Sequence, residues 1–169
     1  MDSVLLIMRL LHIVSGVFWA GTLMFMALFL FPSIRDAGPE GGKVVAELTR
    51  RRFTEIVPVI ALVAILSGLW LYWYASSGFQ PEYMGSGVGM TYGLGGTAAV
   101  ISLLVGLTVV RPSMKRAAAI MAAAAGRPDE AGMAQVQVLR GRAGMGGQVV
   151  ALLLLVAVAA MAVGRYVGT

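Results

Sequence analysis

The basic residues of this chain leave a long central gap, and this gap constrains the fold more than any other feature. No lysine or arginine occurs between Arg52 and Arg111, and apolar runs fill the interval. Eleven of the 13 basic residues form two clusters, Arg35, Lys43, Arg50, Arg51 and Arg52, then Arg111, Lys115, Arg116, Arg127, Arg140 and Arg142. Membrane proteins retain lysine and arginine on the cytoplasmic side of short loops. The pattern predicts four spans, with both clusters in the cytoplasm and both termini outside.

The composition requires lipid as the solvent for this chain. Hydrophobic residues make up 59% and charged residues 12%, against a charged share of roughly 25% in soluble domains. About 20 apolar residues cross a bilayer, so four spans and their connections use the whole length. The prediction is one integral membrane domain over residues 1–169, with spans at approximately 4–31, 53–73, 92–110 and 148–166. The net charge of +5 then reflects orientation and anionic headgroups, and no nucleic-acid partner is expected.

Breakers and alanines predict where the helices end. Pro32 is expected to end the first span, and one helix is expected to run from near Lys43 into the second. The alanine-rich segment 112–125 continues the third span as a helix, reaching ~20 Å beyond it at ~1.5 Å per residue. The fold class is therefore an all-α four-transmembrane-helix bundle whose helices 3 and 4 extend into the cytoplasm. Tyrosines and tryptophans support the orientation, since Trp70, Tyr72, Trp73, Tyr74, Tyr83, Tyr92 and Tyr166 lie at the predicted outer interface.

His12 is the only histidine, and it lies about eight residues into the first span. An intramembrane ionisable group marks a candidate functional site, and a neutral imidazole can bind haem iron, copper or zinc. Gly16 and Ala20 follow at helical spacing, so the histidine begins a stripe of small residues. That stripe would admit a flat macrocycle or a neighbouring helix. Two interpretations stay open: His12 is a metal ligand, or it bonds a hydroxyl or carbonyl group across a packed seam.

Other residues at the same depth could complete a cofactor site. Met161 lies at roughly the depth of His12 when each span is counted from its outer end, and Met8 lies one turn away on the same helix. Arg9 and Arg165 could pair with a carboxylate-bearing cofactor such as haem, although both positions also suit an ordinary membrane interface. Arg9 could instead pair with Glu82 in the outer loop. Methionine can also bind copper(I), but the chain has no Met-x-x-Met cluster.

The first span resembles the opening helix of a bacterial membrane superfamily. The segment Leu11-His-Ile-Val-Ser-Gly-Val-Phe-Trp-Ala-Gly21 carries the resemblance, with Ser67-Gly-Leu-Trp70 and Met161-Ala-Val-Gly-Arg-Tyr166 later in the chain. The superfamily includes the copper-resistance protein D family, the HemJ-type protoporphyrinogen oxidases and uncharacterised relatives. The resemblance implies a four-helix bundle in the bacterial inner membrane and haem ligation by His12. HemJ-type enzymes carry further membrane histidines and lysines, which this chain lacks.

The leading hypothesis is a small b-type haem-binding or redox-associated membrane protein, with haem b held by His12 as axial ligand. The candidate cofactor-binding residues are Arg9, His12, Gly16, Met161 and Arg165. The first alternative is a non-catalytic subunit or assembly factor, acting as a homodimer or within a larger membrane complex. The second alternative is a transporter or metal-handling protein. The residues specify no reaction, so they do not decide whether the protein is an enzyme.

Overall fold

The computed structural model describes residues 3–38, 41–124 and 126–167. Every element in these ranges is helical. The helices are α1 (Ser3–Asp36), α2 (Gly41–Arg50), α3 (Phe53–Ala75), α4 (Pro81–Gly85), α5 (Gly87–Ala123) and α6 (Glu130–Val163), and a 3-10 turn (Gly164–Tyr166) follows α6. Helices α1, α3, α5 and α6 are each long and apolar enough to cross a membrane. The predicted number of four long apolar helices is therefore confirmed, and by length and composition the protein is a multi-pass membrane protein.

The four long helices form a closed ring. Helix α1 packs along α3 and α5 packs along α6, while α3 also contacts α5 and α1 also contacts α6. Small residues allow this close approach, since Ala61 is fully buried and Ala20 and Ala64 are nearly so. Trp19 and Leu154 fill the space beside them. Large apolar side chains cover the outside of the ring, as expected for surfaces that face lipid.

Pro32 does not end the first span, contrary to the sequence prediction. Helix α1 continues through it to Asp36 because a π turn at Met26–Leu30 precedes the proline. The Phe31 N–H reaches the Met26 carbonyl, five residues back. Proline has no N–H to donate and its ring clashes with the carbonyl four residues earlier. A wider turn removes that clash, so the chain stays helical.

The second predicted helix is divided, again contrary to the sequence prediction. Arg52 has a φ of 55°, so α2 ends before it and α3 begins after it. The Glu47 carboxylate on α2 accepts hydrogen bonds from Arg50 and Arg51 at 2.7 and 2.8 Å. These two bonds lower the pKa of Glu47, with Arg50 the larger cause. The ion pairs thus hold the end of α2 in place beside a left-handed break.

Helices α5 and α6 extend past the apolar spans as a long antiparallel hairpin. The alanine-rich segment is helical as far as Ala123, as the sequence predicted. Helix α6 begins at Glu130, and the Asp129 side chain caps it by accepting the Gly132 N–H at 2.8 Å. The helices have the predicted extension. Which side of a membrane they occupy stays a prediction from the charge pattern.

The two halves of the ring repeat one design. The Pro-Ser pair at 32–33 recurs at 112–113, and the π turn at 26–30 recurs at 106–110, each 80 positions later in the chain. Helix α3 carries alanine, alanine and glycine at 61, 64 and 68, and α6 with its 3-10 turn carries them again at 157, 160 and 164. The α1–α3 hairpin and the α5–α6 hairpin are therefore counterparts around the centre of the bundle.

Candidate functional site

The imidazole of His12 reaches from α1 to the backbone of α3. The Nδ1 atom lies 2.7 Å from the Ala64 carbonyl oxygen. A carbonyl oxygen only accepts, so Nδ1 carries the proton and donates it in this bond. The neutral ring then has its lone pair on Nε2. Metal-binding histidines use this arrangement, in which a backbone carbonyl fixes the tautomer and the ring orientation.

Gly68 makes the contact possible. A Cβ atom at this position would lie 2.6 Å from Cε1 and 2.9 Å from Nδ1 of His12. Those distances are shorter than side chains tolerate, so any larger residue would displace the imidazole. At the preceding position, the buried Ser67 hydroxyl donates to carbonyls of its own helix at Val63 and Ala64. The α3 surface under the imidazole is therefore glycine and main-chain carbonyl.

The other hairpin contains the same ring-on-glycine contact with a different ring. Tyr92 is the counterpart of His12, 80 positions later, and Gly164 is the counterpart of Gly68. A Cβ atom on Gly164 would lie 2.7 Å from Cδ1 of Tyr92 and closer still to Cε1. An aromatic ring packed on a glycine is thus part of the common plan of the hairpins. Only the first hairpin puts a metal-binding nitrogen there.

Arg9, which is exposed, and Gly16, which is half-buried, lie on either side of His12 along α1. The Arg9 side chain is exposed and forms no ion pair or hydrogen bond within residues 3–38, 41–124 and 126–167. It therefore does not pair with Glu82. A Cβ atom on Gly16 would meet nothing within 4 Å. The helix surface one turn after the histidine is uncovered, and a free guanidinium lies one turn before it.

Met161 and Arg165 make their contacts elsewhere in the bundle. The Met161 methyl carbon lies 3.2 Å from the position a Cβ would take on Gly95, so Met161 packs against α5. The imidazole of His12 instead packs against α3. Arg165 stacks on its neighbour Tyr166, with Cζ 4.5 Å from the ring centroid. The contacts of these side chains do not join them to His12.

No group of three or more histidine, cysteine, aspartate or glutamate side chains capable of holding a metal ion occurs in the described part of the chain. A closed metal centre built from several such ligands therefore finds no support there. A haem macrocycle makes a smaller demand, since its four ring nitrogens already hold the iron and the protein supplies one or two axial ligands. A single half-buried imidazole with a free Nε2 fits that role.

The loop between α3 and α5 contains a cleft that the sequence did not indicate. The cleft measures about 390 Å³ and is lined by Ala75, Ser76, Ser77, Gln80, Glu82, Tyr83 and Ser86. Outside the cleft lining, the Tyr72 hydroxyl joins α3 to α5 by donating to the Gly89 carbonyl at 3.0 Å. Burial raises the pKa of Tyr83, with Tyr92 and Tyr72 adding to the effect. The cleft is open and lies outside the spans.

Two elements of the candidate site were missed by sequence reasoning. The Ala64 carbonyl has no side-chain signature, so only the fold could identify it as the partner of His12. Tyr92 did have a signal, because the repeated Pro-Ser pair aligns it with His12. Comparison with known proteins adds no assignment: no protein-family model, curated protein or solved structure matches the chain.

Proposed function

We propose that this chain is a b-type haem-binding, redox-associated protein of the bacterial inner membrane, with Nε2 of His12 as an axial ligand of the iron. The observation that carries the proposal is the 2.7 Å hydrogen bond from His12 Nδ1 to the Ala64 carbonyl. That bond commits the proton to Nδ1 and leaves Nε2 able to bind a metal. The resemblance of the first span to haem-associated membrane proteins supports the same assignment.

Three residues of α1 have separate roles in this proposal. His12 holds the iron, and the Ala64 carbonyl keeps its ring oriented. The exposed, unpaired guanidinium of Arg9 is suited to a propionate carboxylate, since arginine binds carboxylates through two parallel hydrogen bonds. Gly16 leaves open surface beside the ligand. The haem would supply one-electron redox chemistry.

An absorbance spectrum of the purified full chain tests the proposal. The expected result is a Soret band with α and β bands that sharpen on reduction, either as isolated or after haem supplementation. His12→Ala should remove these bands while the helical circular dichroism signal persists. Tyr92→Phe is a matched control, because it alters the counterpart ring and leaves His12 intact. A colourless preparation after supplementation, or an unchanged spectrum in His12→Ala, would overturn the assignment.

A non-catalytic subunit of a membrane complex is the second candidate function. The observation that favours it is the repeated ring-on-glycine contact, because Tyr92 on Gly164 packs as His12 does on Gly68. In that case the imidazole serves helix packing alone. His12→Phe then distinguishes the two functions. A packing role predicts that the parent and the variant are both colourless and that the variant keeps the stability of the parent. A ligand role predicts that the parent shows the haem spectrum and that the variant loses it.

A further inference from the structure

Arg111 lies where the apolar part of α5 ends, and part of its guanidinium group is buried without a partner. The residue follows the π turn Gly106–Val110 and precedes Pro112. Its Nε atom is buried, yet it has no hydrogen-bond partner among the described residues. A buried charged donor without an acceptor is unfavourable. The residue as a whole is only partly buried, and no described residue forms an ion pair with it, so its guanidinium group can bind an acceptor from outside the described residues.

The surroundings of Arg111 carry an excess of positive charge. Lys115, Arg116, Arg140 and Arg142 are exposed or partly exposed on the same hairpin, and none forms an ion pair or hydrogen bond within the described ranges. The acids of this hairpin, Asp129 and Glu130, lie at its far turn. Among the described residues of the hairpin, therefore, no carboxylate lies beside the cations where the hairpin leaves the apolar spans.

The register of the hairpin brings some of these cations to one level. The Val110 side chain lies 3.0 Å from the position a Cβ would take on Gly146. Helices α5 and α6 are antiparallel, so the turn that follows Val110 runs beside the turn that precedes Gly146. Lys115 on α5 is therefore at about the level of Arg142 on α6, and Arg111 lies about one turn closer to the apolar spans. Phe31 approaches Gly147 nearby, so apolar residues of α1 border the same end.

We propose that Arg111 binds the phosphate group of an anionic phospholipid, with Lys115 and Arg142 supplying additional positive charge. Arginine pairs with phosphate through charge-assisted hydrogen bonds, and basic pockets between membrane helices take anionic headgroups. The position at the end of an apolar segment matches the depth of a lipid phosphate. An anionic headgroup should be preferred to a zwitterionic one. The described part of the hairpin has no acid at this level to pair with the positive amine of a zwitterionic headgroup, and its cations favour net negative charge.

Native mass spectrometry of the detergent-purified full chain tests the site. Dioleoyl-phosphatidylglycerol should bind roughly tenfold more tightly than dioleoyl-phosphatidylcholine, and its affinity should fall as salt increases. Arg111→Gln should weaken phosphatidylglycerol binding by roughly tenfold, the loss expected for one charge-assisted contact. Arg127→Gln removes the same charge from the distant turn and should leave the affinity unchanged. Arg111→Lys should retain part of the affinity.

Three results would overturn the proposal. Equal, salt-independent binding of the two lipids by the unaltered chain would mean that the surface does not select negative charge. This measurement needs no variant, so it remains decisive even if Arg111→Gln fails to fold. Undiminished phosphatidylglycerol binding by Arg111→Gln would place the lipid elsewhere. Displacement of phosphatidylglycerol by millimolar sodium phosphate would identify free phosphate as the ligand.

Discussion

A Cβ atom on Gly68 would lie 2.6 Å from Cε1 of His12, so the absence of a side chain at position 68 lets the imidazole reach α3. The same absence exposes the Ala64 carbonyl to Nδ1, one helical turn away. Gly68 and Ala64, both on α3, thereby set the packing of the His12 ring and its tautomer. The chemistry available at Nε2 depends on this contact.

Gly68→Ala should destabilise the bundle and perturb any haem spectrum together. The added methyl group displaces the imidazole, and overpacking of this kind costs typically 1–3 kcal/mol. Gly16→Ala is the matched control, because its Cβ meets nothing within 4 Å and alanine favours the helix. Thermal unfolding followed by circular dichroism, with absorbance on the same samples, measures both effects. Equal behaviour of the two variants would contradict the contact.

Gly164→Ala should destabilise the protein to a similar degree and leave the haem spectrum unchanged. Its Cβ would collide with the Tyr92 ring, which is the counterpart of the His12 contact. The penalty should again be about 1–3 kcal/mol. The same unfolding and absorbance measurements apply. A spectral change in Gly164→Ala comparable to that in Gly68→Ala would argue against a site confined to the first hairpin.

Met161→Leu tests the second axial ligand that was predicted from depth alone. Loss of a thioether ligand would lower the reduction potential of the haem. Since the Met161 methyl group packs against Gly95 of α5, we expect the potential and spectrum to match those of the parent. The change roughly conserves volume, so the stability loss should stay under about 1.5 kcal/mol. A lowered potential in a redox titration would restore Met161 as a ligand.

Cysteine labelling should establish the orientation of the bundle. The chain has no native cysteine, so single substitutions report cleanly. Gly85→Cys lies in the loop between α3 and α5, where a new Cβ meets nothing within 4 Å. Ala131→Cys is exposed near the turn of the α5–α6 hairpin. An impermeant maleimide on intact cells should label the first and spare the second. The reverse labelling pattern would mean that the basic clusters lie outside the cell and the termini lie in the cytoplasm.

Acidification should loosen α2 through Glu47. Arg50 and Arg51 hold the pKa of this carboxyl below its usual value. A carboxyl with a lowered pKa in the folded state stabilises that state above the unfolded pKa. The contribution disappears as pH falls through the folded value. The protection factors of the α2 amides, measured relative to intrinsic exchange rates at each pH, should therefore fall as the carboxyl protonates below the ordinary glutamate pKa. Glu47→Gln should show low protection factors at neutral pH and no such pH dependence.

The spans could be predicted from sequence because lipid imposes a strong, local requirement on every residue of a crossing helix. The continuation of α1 through Pro32 could not be predicted, because a proline in a helical sequence normally indicates the end of the helix. Depth counting predicted only a level for Met161, whereas the helix that it faces depends on the order of helices around the ring. The Ala64 carbonyl could not be predicted as the partner of His12 for a different reason. Every residue has a main-chain carbonyl, and only the packing of the helices determines which one the imidazole reaches.

The duplicated hairpin gives the molecule its own reference state. Tyr92 on Gly164 experiences the same kind of ring packing as His12 on Gly68, within one chain and one environment. Any property that belongs to packing should respond alike when either contact is altered. A property that responds only to the first contact belongs to the imidazole nitrogen. Comparing equivalent substitutions in the two hairpins therefore separates the effect of the imidazole nitrogen from the effect of ring packing, and no second protein is needed for the comparison.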